Sequence, residues 1–160
     1  MDRTSYALAG LLAGALSSMA AAAGLEDPAL ARSLEASRRD ASRMLADPRC
    51  LDVLSAFTLP EGGTPVERLE RRQSSPRDFL QSLEFVGDEM SNGCRAGAYA
   101  HTHRGSARIV VCRRFVSLSR ESPAGASHVL IHEMLHALGI GENPPSSREI
   151  TWVVAHRCGT

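Results

Sequence analysis

The sequence predicts a small α+β domain, and three observations carry that expectation. Capped segments with apolar residues at helical spacing fill the first half of the chain. From Cys94 the pattern turns to alternating or β-branched residues on either side of "RGS". A strongly apolar stretch, "VLIHEMLHALG", then ends in glycine and proline. Short period-2 segments beside longer period-3.6 segments are the signature of one antiparallel hairpin packed among helices.

The opening 23 residues, "MDRTSYALAGLLAGALSSMAAAA", combine one early Arg, an apolar run from Ala7 to Leu16 and small residues suited to cleavage after Ala23. This predicts a secretory signal peptide over residues 1–23. The run is well short of the roughly 20 apolar residues that span a bilayer. A single domain over residues 24–160 is expected to follow, exported to the periplasm or the medium, with no membrane association once the leader is removed. With 18 basic and 18 acidic residues the net charge is zero, so no global field favours nucleic acid or an anionic membrane. All 18 basic residues are Arg.

Asp27 followed by Pro28 opens a helix expected to reach Ala46, with Leu30, Leu34, Ala41 and Leu45 on one face. "LPEGGTPVERLERRQSSP" is loop-rich, with a short helix from Pro65 to Arg72 and another from Pro76 to about Glu84. "CRAGAYAHTH" and "ARIVVCRRF" flank a glycine turn and read as a β-hairpin. "SRESPAGASHV" reads as a loop, with His128 at the start of the next helix. That helix ends at Gly139, which is free to adopt the left-handed closing conformation. Beyond Pro144 and Pro145 a last helix is expected, capped by Ser146 with Glu149 in capping-box position.

Four cysteines, Cys50, Cys94, Cys112 and Cys158, follow the leader. An even number in an exported chain favours two disulfides, of which three connectivities are possible. None of the four has the short spacing of a cysteine zinc site.

His132 and His136 stand one helical turn apart and project from one face, so both imidazoles can reach a single metal ion. Glu133 lies beside the first of them, where its carboxylate can accept a proton from an attacking water. The alternative is a buried apolar helix with two satisfied histidines.

The motif "HEMLH" resembles the HExxH hallmark of the zincin metallopeptidases. The similarity covers about 65 residues, from "ARIVVC" to the C-terminus. It implies a zinc ion held by His132 and His136, Glu133 as the catalytic residue, hydrolysis of peptide bonds, and an edge strand, here "ARIVVC", that pairs with a peptide or protein substrate. "HEMLHALGIGE" is similar to the metzincin pattern, with Gly139 at the turning glycine and Glu142 at the third-ligand position. It departs from that branch in having Glu rather than His or Asp there, and no methionine after Met134. The downstream Asp ligand of aspzincins has no counterpart, since no Asp follows Asp88. The gluzincin pattern would use Glu149. Glu142 is the favoured third ligand and Glu149 its competitor.

Lesser candidates are His101 and His103, two apart on a strand, for metal or substrate contact, and His156 or Tyr99 for stabilising a developing oxyanion. The rival function is a non-catalytic exported zinc-binding module held by disulfides. A metal-free helical interaction protein is the third reading. Oligomeric state is not legible.

Overall fold

The computed structural model describes residues 25–159, so the leader expected over residues 1–23 lies outside the described residues. Helix α1, Pro28–Met44, starts where Asp27 accepts hydrogen bonds from the backbone N–H groups of Ala29 and Leu30. Of its buried residues, Leu30, Leu34, Ser37 and Ala41 recur every three or four positions, with Ser42 beside the last, and lay one face on the core. Asp47 caps a short helix α2, Pro48–Leu51, which tightens into a 3₁₀ turn over Asp52–Ser55. Thr64 and Glu67 form a reciprocal capping box at the start of α3, Pro65–Arg71. Ser75 caps α4, Pro76–Ser82.

Three stretches differ from the sequence expectation. Helix α4 stops at Ser82, and Glu84 opens strand β1, Glu84–Gly87. Four residues are too few to show a period, so the strand is hidden in the tail of the helix. Cys94 lies in a short helix α5, Asn92–Arg95, leaving only β2, Ala100–Thr102, as the first arm of the hairpin. His103 therefore falls outside the strand that was expected to hold it with His101. The second arm is β3, Arg108–Val111. "SRESPAGASHV" is not a loop. It contains the end of α6, Phe115–Glu121, and the start of α7, Pro123–Ala137, with Ser122 accepting from the Gly125 N–H and Pro123 at the first helical position. His128 is thus inside α7 and not at its start.

The sheet has the order β1-β3-β2, with β1 parallel and β2 antiparallel to β3. The "ARIVVC" strand is therefore central between two edge strands, β1 and β2, and the one that packs against α7 is β2. Cys112 donates to the Tyr99 carbonyl at 2.9 Å, making these two a hydrogen-bonded pair. By the alternation of an antiparallel ladder, Ala100 opposite Val111 turns its N–H and C=O to the free edge.

Helix α7 is the centre of the domain. It packs against α1, α6, β2 and α8, Ser147–Cys158, and Leu130, Ile131, Met134 and Leu135 have no solvent exposure. Ser146 caps α8 by accepting from the Glu149 N–H at 3.2 Å, which is one half of the expected capping box. No described helix is long and apolar enough to cross a membrane.

Both expected disulfides are present. Cys50–Cys158 joins α2 to the end of α8, and Cys94–Cys112 joins α5 to the residue after β3. No free cysteine remains, as expected of a chain formed in an oxidising compartment. Peptide mapping of unreduced protein should recover these two pairs, and thiol labelling after denaturation should find none free. Replacing Cys50 and Cys158 by Ala should destabilise more than replacing Cys94 and Cys112. Chain entropy gives about 4.7 kcal/mol for a loop near the 108-residue separation and about 3 kcal/mol for one near 18 residues. Denaturant unfolding that ranks the pairs in the opposite order would contradict this.

Candidate metal centre

Helix α7 places the two histidines, and the turn after it brings in the third group. The helix closes with a Schellman pattern: Ile140 N–H donates to Leu135 O at 3.0 Å, and Gly139 N–H to His136 O at 2.8 Å. Gly139 has φ +105°, a conformation that needs glycine. An added Cβ there would also meet the Arg68 guanidinium, which donates to Leu138 O at 2.8 Å and pairs with Glu61. The reversal of the chain is thus fixed from outside as well as by its own hydrogen bonds.

That reversal presents the Ile140 carbonyl to His136, whose Nδ1 lies 2.8 Å away. A carbonyl only accepts, so Nδ1 carries the proton and Nε2 keeps its lone pair. On the other ring, His132 Nδ1 lies 3.1 Å from Thr151 Oγ1 of α8. With both Nδ1 atoms engaged, the two Nε2 atoms converge to 3.0 Å. Glu142 Oε1 lies 3.4 Å from His136 Nε2. The three ligand atoms all fall within 4.8 Å of one another.

The two shorter separations, 3.0 and 3.4 Å, are those of ligands sharing one metal ion. Two ligands each 2.0–2.1 Å from a tetrahedral ion lie about 3.3 Å apart. Two imidazole nitrogens and one carboxylate are also a donor set that catalytic zinc sites use, with a position left open. The surroundings agree: His132 and His136 are buried, and burial pushes the His132 pKa down to about 4, with His136 adding to the effect. The ring is therefore held neutral, the form that binds a metal.

Glu133 lies on the same helix, 6% exposed, with Oε2 lacking any hydrogen-bond partner. Burial raises its pKa to about 8. Glu142 pushes the same way, and the Thr102 backbone N–H opposes. A buried carboxyl oxygen without a partner thus lies beside the His–His–Glu group, where a buried polar atom calls for one.

The structure brings Glu142, and not Glu149, to the histidines. Glu149 is exposed in the first turn of α8. His101 and His103 line the cleft at the metal group without joining it. The His101 Nε2 lies 2.9 Å from Ser91 Oγ, and burial lowers its pKa. His156 is an exposed residue stacked on Trp152 at 5.0 Å, away from the cleft residues. Tyr99 lines an adjoining cavity, with the Arg114 guanidinium 4.3 Å over its ring. Sequence reasoning missed Thr151 and the Ile140 carbonyl. The first is one hydroxyl on a later helix and the second a backbone atom, and neither leaves a motif.

Comparison of the chain with family models, curated proteins and solved structures finds no match.

Two outcomes follow from this geometry. Glu142→Ala should lower metal affinity by more than the roughly 10- to 100-fold typical of losing a partner outside the ligand set, while Glu149→Ala should leave it near that of the wild type. Titration of a fluorescent chelator by the two folded variants measures this, and the reverse ranking would remove Glu142 from the ligand set.

The second concerns chelator-treated protein. Glu133, raised from 4.5 to about 8, stays protonated in the fold while the unfolded chain loses its proton, so this group's contribution falls as pH rises from 4.5 to 8. His132, lowered from 6.5 to about 4, makes stability rise with pH between 4 and 6.5. The two slopes cancel between pH 4.5 and 6.5, and Glu133 alone acts from 6.5 to 8. Stability should be level over the first interval and fall by about 2 kcal/mol over the second, at about 1.4 kcal/mol per pH unit. Unfolding of Glu133→Gln in the same buffers should lack that fall.

Proposed function

We propose that the protein is an exported zinc-dependent peptidase of zincin type, metzincin-like in its HExxHxxGxxE arrangement. The observation that carries this reading is the convergence of His132 Nε2, His136 Nε2 and a Glu142 oxygen beside a buried Glu133 carboxyl whose Oε2 has no hydrogen-bond partner. Zinc is the ion favoured by two imidazoles and one carboxylate, and when bound it supplies Lewis acidity that polarises a carbonyl and lowers the pKa of water towards ~7.

The chain's own residues do the rest. Thr151 and the Ile140 carbonyl hold the two imidazoles in orientation, so that both Nε2 lone pairs point to one place. Glu133 takes a proton from the attacking water and returns it to the leaving amine nitrogen. Its burial makes it a stronger base than an exposed carboxylate, and positive charge close by favours the ionised form that can accept the proton. The free edge of β2 offers the Ala100 N–H and C=O to an extended peptide backbone, which supports a peptide as the substrate. The two disulfides support export.

Elemental analysis of purified protein should find about one zinc per chain after reconstitution. Zinc-loaded wild type should cleave a mixed peptide library, and Glu133→Gln should bind the same zinc and lose turnover by at least ~100-fold. Zinc without turnover in the wild type would instead favour a binding module. Absence of any bound metal would end both readings.

A further inference from the structure

Two cavities meet at the metal group. One, of about 490 Å³, is mostly apolar and is walled by Tyr99, Leu118, Val129 and Ala155. The other, of about 380 Å³, has a mixed polar and apolar lining and is bordered by His101, His103, Arg104 and Glu142. Both include Ala98, Ala100, His132, Glu133 and Ser147, so they are the two halves of one cleft running past the edge of β2.

The two halves differ in charge as well as polarity. Arg104 is exposed and, among the described residues, has neither a carboxylate nor a hydrogen-bond partner, whereas nearby Arg68 pairs with Glu61 and Arg108 with Glu84. Its side chain lies over Gly141, where an added Cβ would sit 3.8 Å from both Cδ and one terminal nitrogen. That places a free guanidinium on the rim of the cleft beside the turn that carries Glu142.

We propose that the cleft selects extended peptides bearing a bulky apolar side chain, seated between Leu118 and Val129, and a carboxylate about three residues away, held by Arg104. The spacing comes from β2. Tyr99, the residue before β2, lines the apolar half and Thr102, its last residue, lines the other; they are three steps apart, roughly 10 Å at about 3.3 Å per residue, and an added strand has the same rise. A carboxylate suits the fork of a guanidinium, which can accept it in bidentate fashion. The proposal deepens the peptidase reading and rests on it for the placement of the peptide along β2.

The test measures binding apart from turnover. Fluorescence anisotropy on zinc-loaded Glu133→Gln protein compares labelled peptides carrying Leu and Glu three residues apart, in both orders. Matched peptides have Leu→Ser, Glu→Gln or Glu→Lys. Leu→Ser should weaken binding by about 10-fold or more, as expected for losing a buried apolar side chain. Glu→Lys should weaken it by up to about 5-fold, the scale of an exposed ion pair. Arg104→Glu, a surface change, should reverse the preference between the Glu and Lys peptides. Equal binding of all peptides, no binding of any, or an unchanged charge preference in Arg104→Glu would each overturn the proposal. Wild-type turnover of the same peptides separates it from the parent reading. Cleavage without preference overturns the selectivity alone, and graded binding without cleavage overturns the peptidase reading alone.

Discussion

The burial of α7 on all sides from Leu130 onward is the constraint from which the site follows. A helix with solvent on one face can keep its polar residues there, whereas α7 has neighbours in α1, α6, α8 and β2 and must hold His132, Glu133 and His136 inside. Buried polar groups need partners. Thr151 on α8 and the Ile140 carbonyl supply them for one nitrogen of each ring. The remaining nitrogens face each other across 3.0 Å, an arrangement that an ion between them would satisfy.

The same constraint explains the electrostatics. Desolvation works in opposite directions on a base and an acid, holding His132 neutral at low pH and Glu133 protonated towards high pH. In the absence of positive charge both groups favour their uncharged forms. The His132 ring therefore needs no deprotonation to meet a cation at neutral pH, and the Glu133 carboxyl would gain its ionised form from a nearby positive charge.

Where the sequence was readable, a local physical rule was at work. Pro at the first turn with Asp, Ser or Thr before it marked the starts of α1, α3 and α4, and Gly139 marked the end of α7. The HExxH spacing alone placed two nitrogens on one face. Reading failed where information was non-local or short. Strand β1 has four residues and gains its identity only from pairing with β3. The edge strand beside α7 is β2 and "ARIVVC" is central, because β1 takes the other side of β3. Pro123 has the look of a loop residue in the sequence although it begins a helix, since proline serves both contexts. Glu142 was favoured over Glu149 from the glycine turn, and its approach to His136 follows from that turn, in which Arg68, 70 positions away along the chain, also takes part.

The two disulfides are nested: the bridge from Cys94 to Cys112 lies within the segment closed by Cys50 and Cys158. Every exposed turn between residues 50 and 158 therefore belongs to a covalent ring. A single nick in the Glu61–Gly63 turn or in the hairpin would open a ring without releasing a fragment, and the helices on either side would stay tethered at their packing distance. In an environment rich in proteolytic activity, such a chain can be cut once and remain one molecule, with the break becoming visible only on reduction.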